Sequence, residues 1–282
     1  MDLKERLHGH LIQIVRDRNP YLASAGYFYV QQYIREQLGQ WGTVETDDFA
    51  VRGRIYYNFI LDLPPSEKVS QQGLSPIIIG AHYDTVPGTD GADDNATGVA
   101  VLLELARAIA LQPLKYPVQL VAFDMEESGC WGSRHHAAKY KQRQQSIRLM
   151  ISLEMLGYCD RTPNSQSYPA GLKYFYPNIG NFIALIGNLR TVRDMITLSR
   201  NIRKVGQDCE WLPVPNRGLI VPDTRRSDHA PFWDNGYPAI MVTDTANMRN
   251  PHYHQPSDKI ETLDLDFLTG VCGGLIEAIR YL

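Results

Sequence analysis

The chain has 282 residues, 44% of them apolar, and a formal net charge of -3, so it can bury a sizeable core and shows no electrostatic bias toward nucleic acid. No basic stripe with interleaved aromatics occurs, and no apolar run approaches the roughly 18 residues needed to span a bilayer. The N-terminus, Met1-Asp2-Leu3-Lys4-Glu5-Arg6, has no apolar signal-peptide core, so the chain as given reads as cytoplasmic, with no membrane partner.

Residues 2–18 set Leu3, Leu7, Leu11, Ile14 and Val15 at helical spacing, and Asn19-Pro20 breaks the pattern. A second helix is predicted from Ala23 to Leu38, with Tyr27, Val30, Tyr33 and Ile34 facing inward and Gly39 as its stop. Thr43 to Leu63 alternates and is β-branched, with Tyr57–Leu63 its clearest strand, and Pro64 to Gly73 is a polar loop. Ile77-Ile78-Ile79 is a short buried strand. It runs into His82-Tyr83-Asp84 and a Gly-, Pro- and Asp-rich loop that ends in Asp93-Asp94-Asn95. A helix follows from about Asn95 to Leu111. Val118–Phe123 is a strand that delivers Glu126 and Glu127. Trp131–Tyr140 is a helix with His135 and His136 on its surface, and Ile147–Leu153 is a strand that delivers Glu154.

Gly157 to Gly180 has no period and reads as a lid or pocket wall. Phe182 to Val205 reads as one helix or two, with a break at Gly187-Asn188, and Trp211 to Val221 as extended. Ala239–Thr243 is a last strand. The loop Asp244 to Asp258 holds His252-Tyr253-His254, and Leu263–Leu282 is a closing helix. Strands alternating with helices indicate an α/β fold with a largely parallel sheet. Cys130, Cys159, Cys209 and Cys272 lack CxxC or CxH spacing, so they read as reduced thiols, mostly buried, and not as a zinc ribbon.

The chemistry collects just past strand ends, where open α/β sheets bind ligands. His82 offers a neutral imidazole nitrogen and Asp94 two oxygens. Asp84, two residues on, is placed to accept the imidazole's other N–H. A solvated acidic loop or a calcium site fits that stretch equally well. Three further strand ends repeat the pattern with Glu126-Glu127, Glu154 and His254. Two His and three carboxylates (His82, Asp94, Glu127, Glu154, His254) form a borderline N/O set suited to zinc, cobalt or manganese. Five ligands exceed one catalytic zinc, and with one bridging carboxylate they divide between two ions about 3.5–4 Å apart. Of the adjacent pair, one Glu is left free as a general base.

The run HYDT…GADDNATG, then DMEESG, SLEMLGY, SDHAPFW and HYHQPSD, resembles the zinc-dependent aminopeptidases of the M28 peptidase family. The resemblance covers most of the chain from Ile77 onward. It implies a single three-layer α/β/α domain over 1–282 with a central mixed, mostly parallel sheet and the helices of residues 1–40 packed on it. It also implies two zinc ions. His82 would bind one, and Asp94, followed by a cis peptide, would bridge both. Glu126 matches the general base, Glu127 and His254 match ligands, and Tyr253 matches a Tyr that hydrogen-bonds the substrate carbonyl in some members. Glu154 stands where many members have Asp. Asp228, in the SDH motif, is expected to contact the ligands or the substrate, as is Asp84.

The expected activity is removal of N-terminal residues from peptides with a free N-terminus, through a metal-activated water. The alternatives are a single-zinc acyl transferase like the related glutaminyl cyclases, and a non-catalytic binding module on the same fold. His252 is an alternative ligand to His254. Arg225 and Arg226 are candidates for meeting a substrate carboxylate. Oligomeric state is not legible.

Overall fold

The computed structural model describes residues 1–22, 24–66, 73–169 and 171–282. The predicted loop Pro64–Gly73 and the predicted helix start at Ala23 therefore fall partly outside the described residues. Among those described, eight strands form one sheet: β1 (Val44–Val51), β2 (Arg54–Leu63), β3 (Ile77–His82), β4 (Val118–Phe123), β5 (Leu149–Glu154), β6 (Ile183–Asn188), β7 (Cys209–Val214) and β8 (Ala239–Thr243). Their order is β1-β2-β4-β3-β5-β8-β6-β7. The central four, β4, β3, β5 and β8, are mutually parallel. β1 with β2, β2 with β4, and β6 with β8 are antiparallel. The sheet is thus mixed and mostly parallel, as expected.

The strand sequences explain the layering. Every residue of β3 is buried, because both faces of a parallel sheet are covered and neither face needs polar side chains. Ile77 and Ile79 point into one core with Leu7, Leu11 and Ile14, while Ile78 joins a second core with Ala137, Phe232 and Trp233. The first core is roofed by α1 (Leu3–Ile14), α2 (Ala25–Gly39), α3 (Gly98–Leu111), α5 (Val192–Lys204) and α7 (Leu265–Ala278). The second is covered by α4 (Trp131–Gln142) and α6 (His229–Asp234). Helix starts are capped locally. Asp2 and Glu5 form a reciprocal capping box, and the side chains of Ser24 and Asp264 accept from Tyr27 N and Phe267 N. Among the described residues no helix is long and apolar enough to cross a membrane.

Some expectations need correction. Phe182–Val205 is not helical throughout. Ile183–Asn188 is strand β6, paired with β8 and β7, and only Val192–Lys204 is helix. A short apolar run carries no periodicity that separates a buried strand from a helix turn, and here the sheet provides the partners. Thr43–Leu63 is two strands joined at Arg52-Gly53, both with positive φ, the dihedrals that a two-residue hairpin demands. The first helix stops at Ile14, not near residue 18, because Val15 is already extended. His136 is buried against Gln119 and Asp47, not on the surface. All four cysteines are free, Cys209 and Cys272 buried, Cys130 and Cys159 partly so.

Ile79 has no exposed surface, so Ile79→Ala should lower unfolding free energy by about 2–5 kcal/mol. Urea titration should show a lower midpoint at unchanged slope. An unshifted midpoint would contradict the two-sided burial of β3.

Candidate metal centre

The four parallel strands end on one edge, and ligand chemistry lies at the last residue of two of them and in the segments that follow the other two. His82 is the last residue of β3 and Glu154 the last of β5. Glu126 and Glu127 follow β4, after Met125 turns the chain at φ 61. That bend lets two consecutive carboxylates reach one site, which an extended strand would send to opposite faces. Past β8, the loop returns with His254, itself at φ 58. Asp94 comes from the turn Ala92–Thr97, which leaves helical geometry at Asp94 and Asn95 and contains a cis peptide between them.

These groups converge. His82 Nε2 lies 3.4 Å from Asp94 Oδ1 and 3.5 Å from Glu154 Oε2. His254 Nε2 lies 3.2 Å from Asp94 Oδ2 and 3.1 Å from Glu127 Oε2. Asp94 therefore turns one oxygen to each His. Ligand atoms from His82, Asp94 and Glu127 all lie within 4.8 Å of one another. Donors about 2.0–2.1 Å from a tetrahedral zinc are about 3.3 Å apart, and the four separations bracket that value. His82 Nε2, His254 Nε2 and Glu127 Oε1 are buried without a hydrogen-bond partner among the described residues. Buried polar atoms are rarely left so, and bound cations would satisfy all three. The donor set and its orphaned atoms fit zinc.

Glu126 is near but apart. Its Oε2 is 4.0 Å from His82 Nε2, and the Cys130 thiol donates to its Oε1 at 3.4 Å. His252 is not among the converging groups: its Nδ1 pairs with Ser257 Oγ at 2.9 Å. Asp228 is fully buried, and neither of its carboxylate oxygens has a partner among the described residues. Tyr253 stacks on His254 with ring centroids 3.8 Å apart. An apolar cavity opens beside Glu154 and Tyr253, walled by Tyr168, Leu172 and Tyr176 from one loop, by Trp211 of β7, and by Thr224 and Arg226 from the segment that follows β7.

Charge explains the tension in this arrangement. Burial, and then Asp94, push Glu127 up to about 7, against the pull of His254. Burial also drives Glu126 well above the usual carboxylate range, helped by Glu154, Glu127 and Asp228 and opposed by His82. Burial raises Asp228 to about 7, although His82 opposes it. Burial disfavours charged His254, yet its contacts with Asp94 and Glu127 win and raise it to about 10. Burial acts against His82 in the same way, and Glu154 and Glu126 outweigh it. For Asp94, burial is outweighed by His254 and His82, and its carboxyl is held well down.

A ring of backbone contacts fixes the ligands, and the sequence reading missed most of it. The Asp84 carboxylate accepts from Glu126 N at 3.0 Å and Glu127 N at 3.2 Å. Its backbone oxygen and one carboxylate oxygen lie 3.3 and 3.4 Å from His82 Nδ1. Asp258 accepts from Asp93 N and Asp94 N at 2.9 and 3.0 Å. Asn95 donates to Leu153 O and accepts from Met155 N. Ser227 donates to Glu154 Oε2 at 2.7 Å. Arg18, fully buried, donates to the carbonyls of Tyr83, Asp90 and Gly91 as well as to Ile14 and Arg16. Two members carried a sequence signal: Asp84, as the acid two residues past His82, and Asp258, as the last residue of the His254-x-x-x-Asp258 pattern.

In comparison with known families, residues 58–277 match peptidase family M28. The chain belongs to that family. It is 38% identical over 260 residues to the uncharacterized protein YfbL of Escherichia coli K12, covering 87% of this chain and 77% of that one. Among solved structures it resembles the Legionella pneumophila LapA aminopeptidase (TM-score 0.73, 18% identity, 99% of this chain and 71% of that one). It also resembles the Porphyromonas gingivalis glutaminyl cyclase (TM-score 0.69, 20% identity, 99% and 96%). At those identities the likeness is one of fold. Other curated relatives, named aminopeptidases and matched at 27%, are longer, and the chain spans 40–53% of their length.

The M28 centre makes metal-free stability depend on pH in a definite direction. Glu127 and Asp258 have folded pKa values of about 7, above their ordinary 4.5 and 3.8. The folded state then binds more protons than the unfolded one, and stability falls as pH rises from about 4 to about 7. His254, raised from 6.5 to about 10, adds stability below pH 6.5 that is lost as pH rises through 10. Both slopes have the same sign. Calorimetry in chelator should give a Tm that falls steadily from pH 5 to pH 9. Zinc should flatten or reverse the trend, since ligands bind metal deprotonated. A metal-free Tm that climbs over this range would contradict the assignment.

Proposed function

We propose that the chain is a metal-dependent aminopeptidase that hydrolyses the first peptide bond of peptides with a free N-terminus, working with two zinc ions. The observation that carries this reading is Asp94. It offers one oxygen to the side of His82 and Glu154, and the other to the side of His254 and Glu127. That division supports a pair of ions sharing one carboxylate, as against the single zinc of an acyl transferase. Zinc in such a set supplies a Lewis acid for the scissile carbonyl and lowers the pKa of a bound water toward about 7.

The chain's own residues do the rest. Glu126 lies beside the ligands and is not itself one of the five, so its carboxylate is free to take the proton of the attacking water. Burial and neighbouring carboxylates raise its pKa above the usual carboxylate range, and a carboxyl so raised holds the proton it takes and can give it back to the leaving amine. Burial raises the Tyr253 phenol well above its ordinary range, so it stays a neutral donor, suited to the carbonyl oxygen of the substrate. The substrate ammonium meets a site dominated by carboxylates. The side chain of its first residue enters the cavity next to Glu154, whose walls favour apolar and aromatic groups.

Glu126→Gln keeps the shape and removes the base. Zinc content should stay at the wild-type level while kcat for Leu-anilide falls about 10²–10⁴-fold. Unimpaired turnover would remove Glu126 from the mechanism. Release of ammonia from Gln-peptides, with Leu-anilide left intact, would instead favour the glutaminyl cyclase reading.

A further inference from the structure

Arg225 and Arg226 are adjacent in sequence, and the structure separates their roles. Arg225 donates to Asp234 Oδ2 at 2.7 Å and is largely covered. Arg226 points the other way, into the wall of the cavity that also holds Glu154 and Tyr253. One of its amino groups donates to Tyr253 Oη at 2.9 Å and the other to Asn247 Oδ1 at 3.2 Å. The carboxylate paired with it, Asp223, is 4.0 Å away, and both side chains are nearly half exposed. The guanidinium thus keeps most of its charge for something else, on the rim of a centre otherwise lined by acids.

We propose that Arg226 receives the C-terminal carboxylate of a dipeptide substrate, so that the preferred substrates are dipeptides. This rests on the aminopeptidase reading above. A cation on this rim repels the substrate's ammonium, so the amine lies away from it, among the carboxylates, and Arg226 faces the opposite end of the substrate. If Tyr253 Oη holds the scissile carbonyl oxygen, Arg226 sits one hydrogen bond further along. In a dipeptide the terminal carboxyl carbon follows the scissile carbonyl carbon by three bonds, about 3–4 Å, a span comparable to the 2.9 Å from Tyr253 Oη to the guanidinium. Arg suits the task because its planar fork binds a carboxylate through two parallel hydrogen bonds. An acidic first side chain offers the same chemistry, but it would have to enter a cavity whose wall already carries Glu210 and Asp223.

The test is kcat/KM of the zinc-loaded full chain for Leu-Gly, Leu-Gly-amide, Leu-anilide and Glu-anilide, in wild type, Arg226→Met and Arg226→Lys. Wild type should prefer the free acid to the amide by about tenfold, mainly through KM, the size expected of a charge-assisted hydrogen bond at a half-exposed site. Arg226→Met should bring that ratio to about one, whatever loss both substrates share through Tyr253. Arg226→Lys should restore part of it. Equal rates for acid and amide in wild type, with Leu-anilide cleaved, overturn the role of Arg226 and leave the aminopeptidase reading standing. A ratio that survives in Arg226→Met also overturns it. A wild-type preference for Glu-anilide over Leu-anilide that disappears in Arg226→Met assigns the guanidinium to an acidic side chain and overturns the dipeptide assignment. No cleavage of any of the four overturns both readings together.

Discussion

The structure is governed by a concentration of like charge. Asp84, Asp94, Glu126, Glu127, Glu154 and Asp228 crowd around two imidazoles at one edge of the sheet, and most of them are fully or nearly fully buried. Placing several carboxylates in a low-dielectric pocket is unfavourable unless they are protonated, paired or bound to cations. The protein alone achieves this only in part, with raised pKa values on Glu126, Glu127 and Asp228 and raised ones on His82 and His254. Divalent cations between the two imidazoles would replace those protons and satisfy the orphaned ligand atoms.

Holding these groups together takes rigid backbone. Three non-glycine residues at the site, Met125, Met155 and His254, have positive φ. That region costs such residues of order 1 kcal/mol or more and persists where surrounding contacts enforce it. The contacts are visible. Asp84 clamps the amides after β4 to the loop after β3, Asp258 clamps the amides of Asp93 and Asp94, and Asn95 ties the same turn to the end of β5. Arg18 brings the N-terminal segment into the arrangement by binding the carbonyls of the β3 loop. The N-terminal helices are therefore joined to the site, and the strand ends, the turn and the first helix form one support.

How much was legible in the sequence follows from what each feature depends on. His82, Glu127 and Glu154 were visible because each lies at or just past an apolar strand signal, Asp94 and His254 because they lie in acid- or His-bearing loops that follow such strands, and strand ends on a parallel sheet share an edge. Glu126-Glu127 stood out because the adjacent pair required a bend, which Met125 supplies. β6 was not visible, because Ile183-Ala184-Leu185-Ile186 is strand only by virtue of β8 and β7 on either side. Arg18 and Ser227 were not visible either. A buried Arg bonded to carbonyls, and a Ser aimed at a ligand, depend on contacts between distant segments that no local pattern encodes. The difference between Arg225 and Arg226 was likewise settled only by the position of Asp234 and Tyr253.

The central claim is that Asp94 serves two cation sites at once. Calorimetric titration of zinc into metal-free protein, wild type against Asp94→Asn, tests it most directly. The account predicts two ions per chain in wild type, with protons released on binding, and both sites weakened in Asp94→Asn. One ion per chain in wild type, or a variant in which only one of two sites is affected, would contradict it.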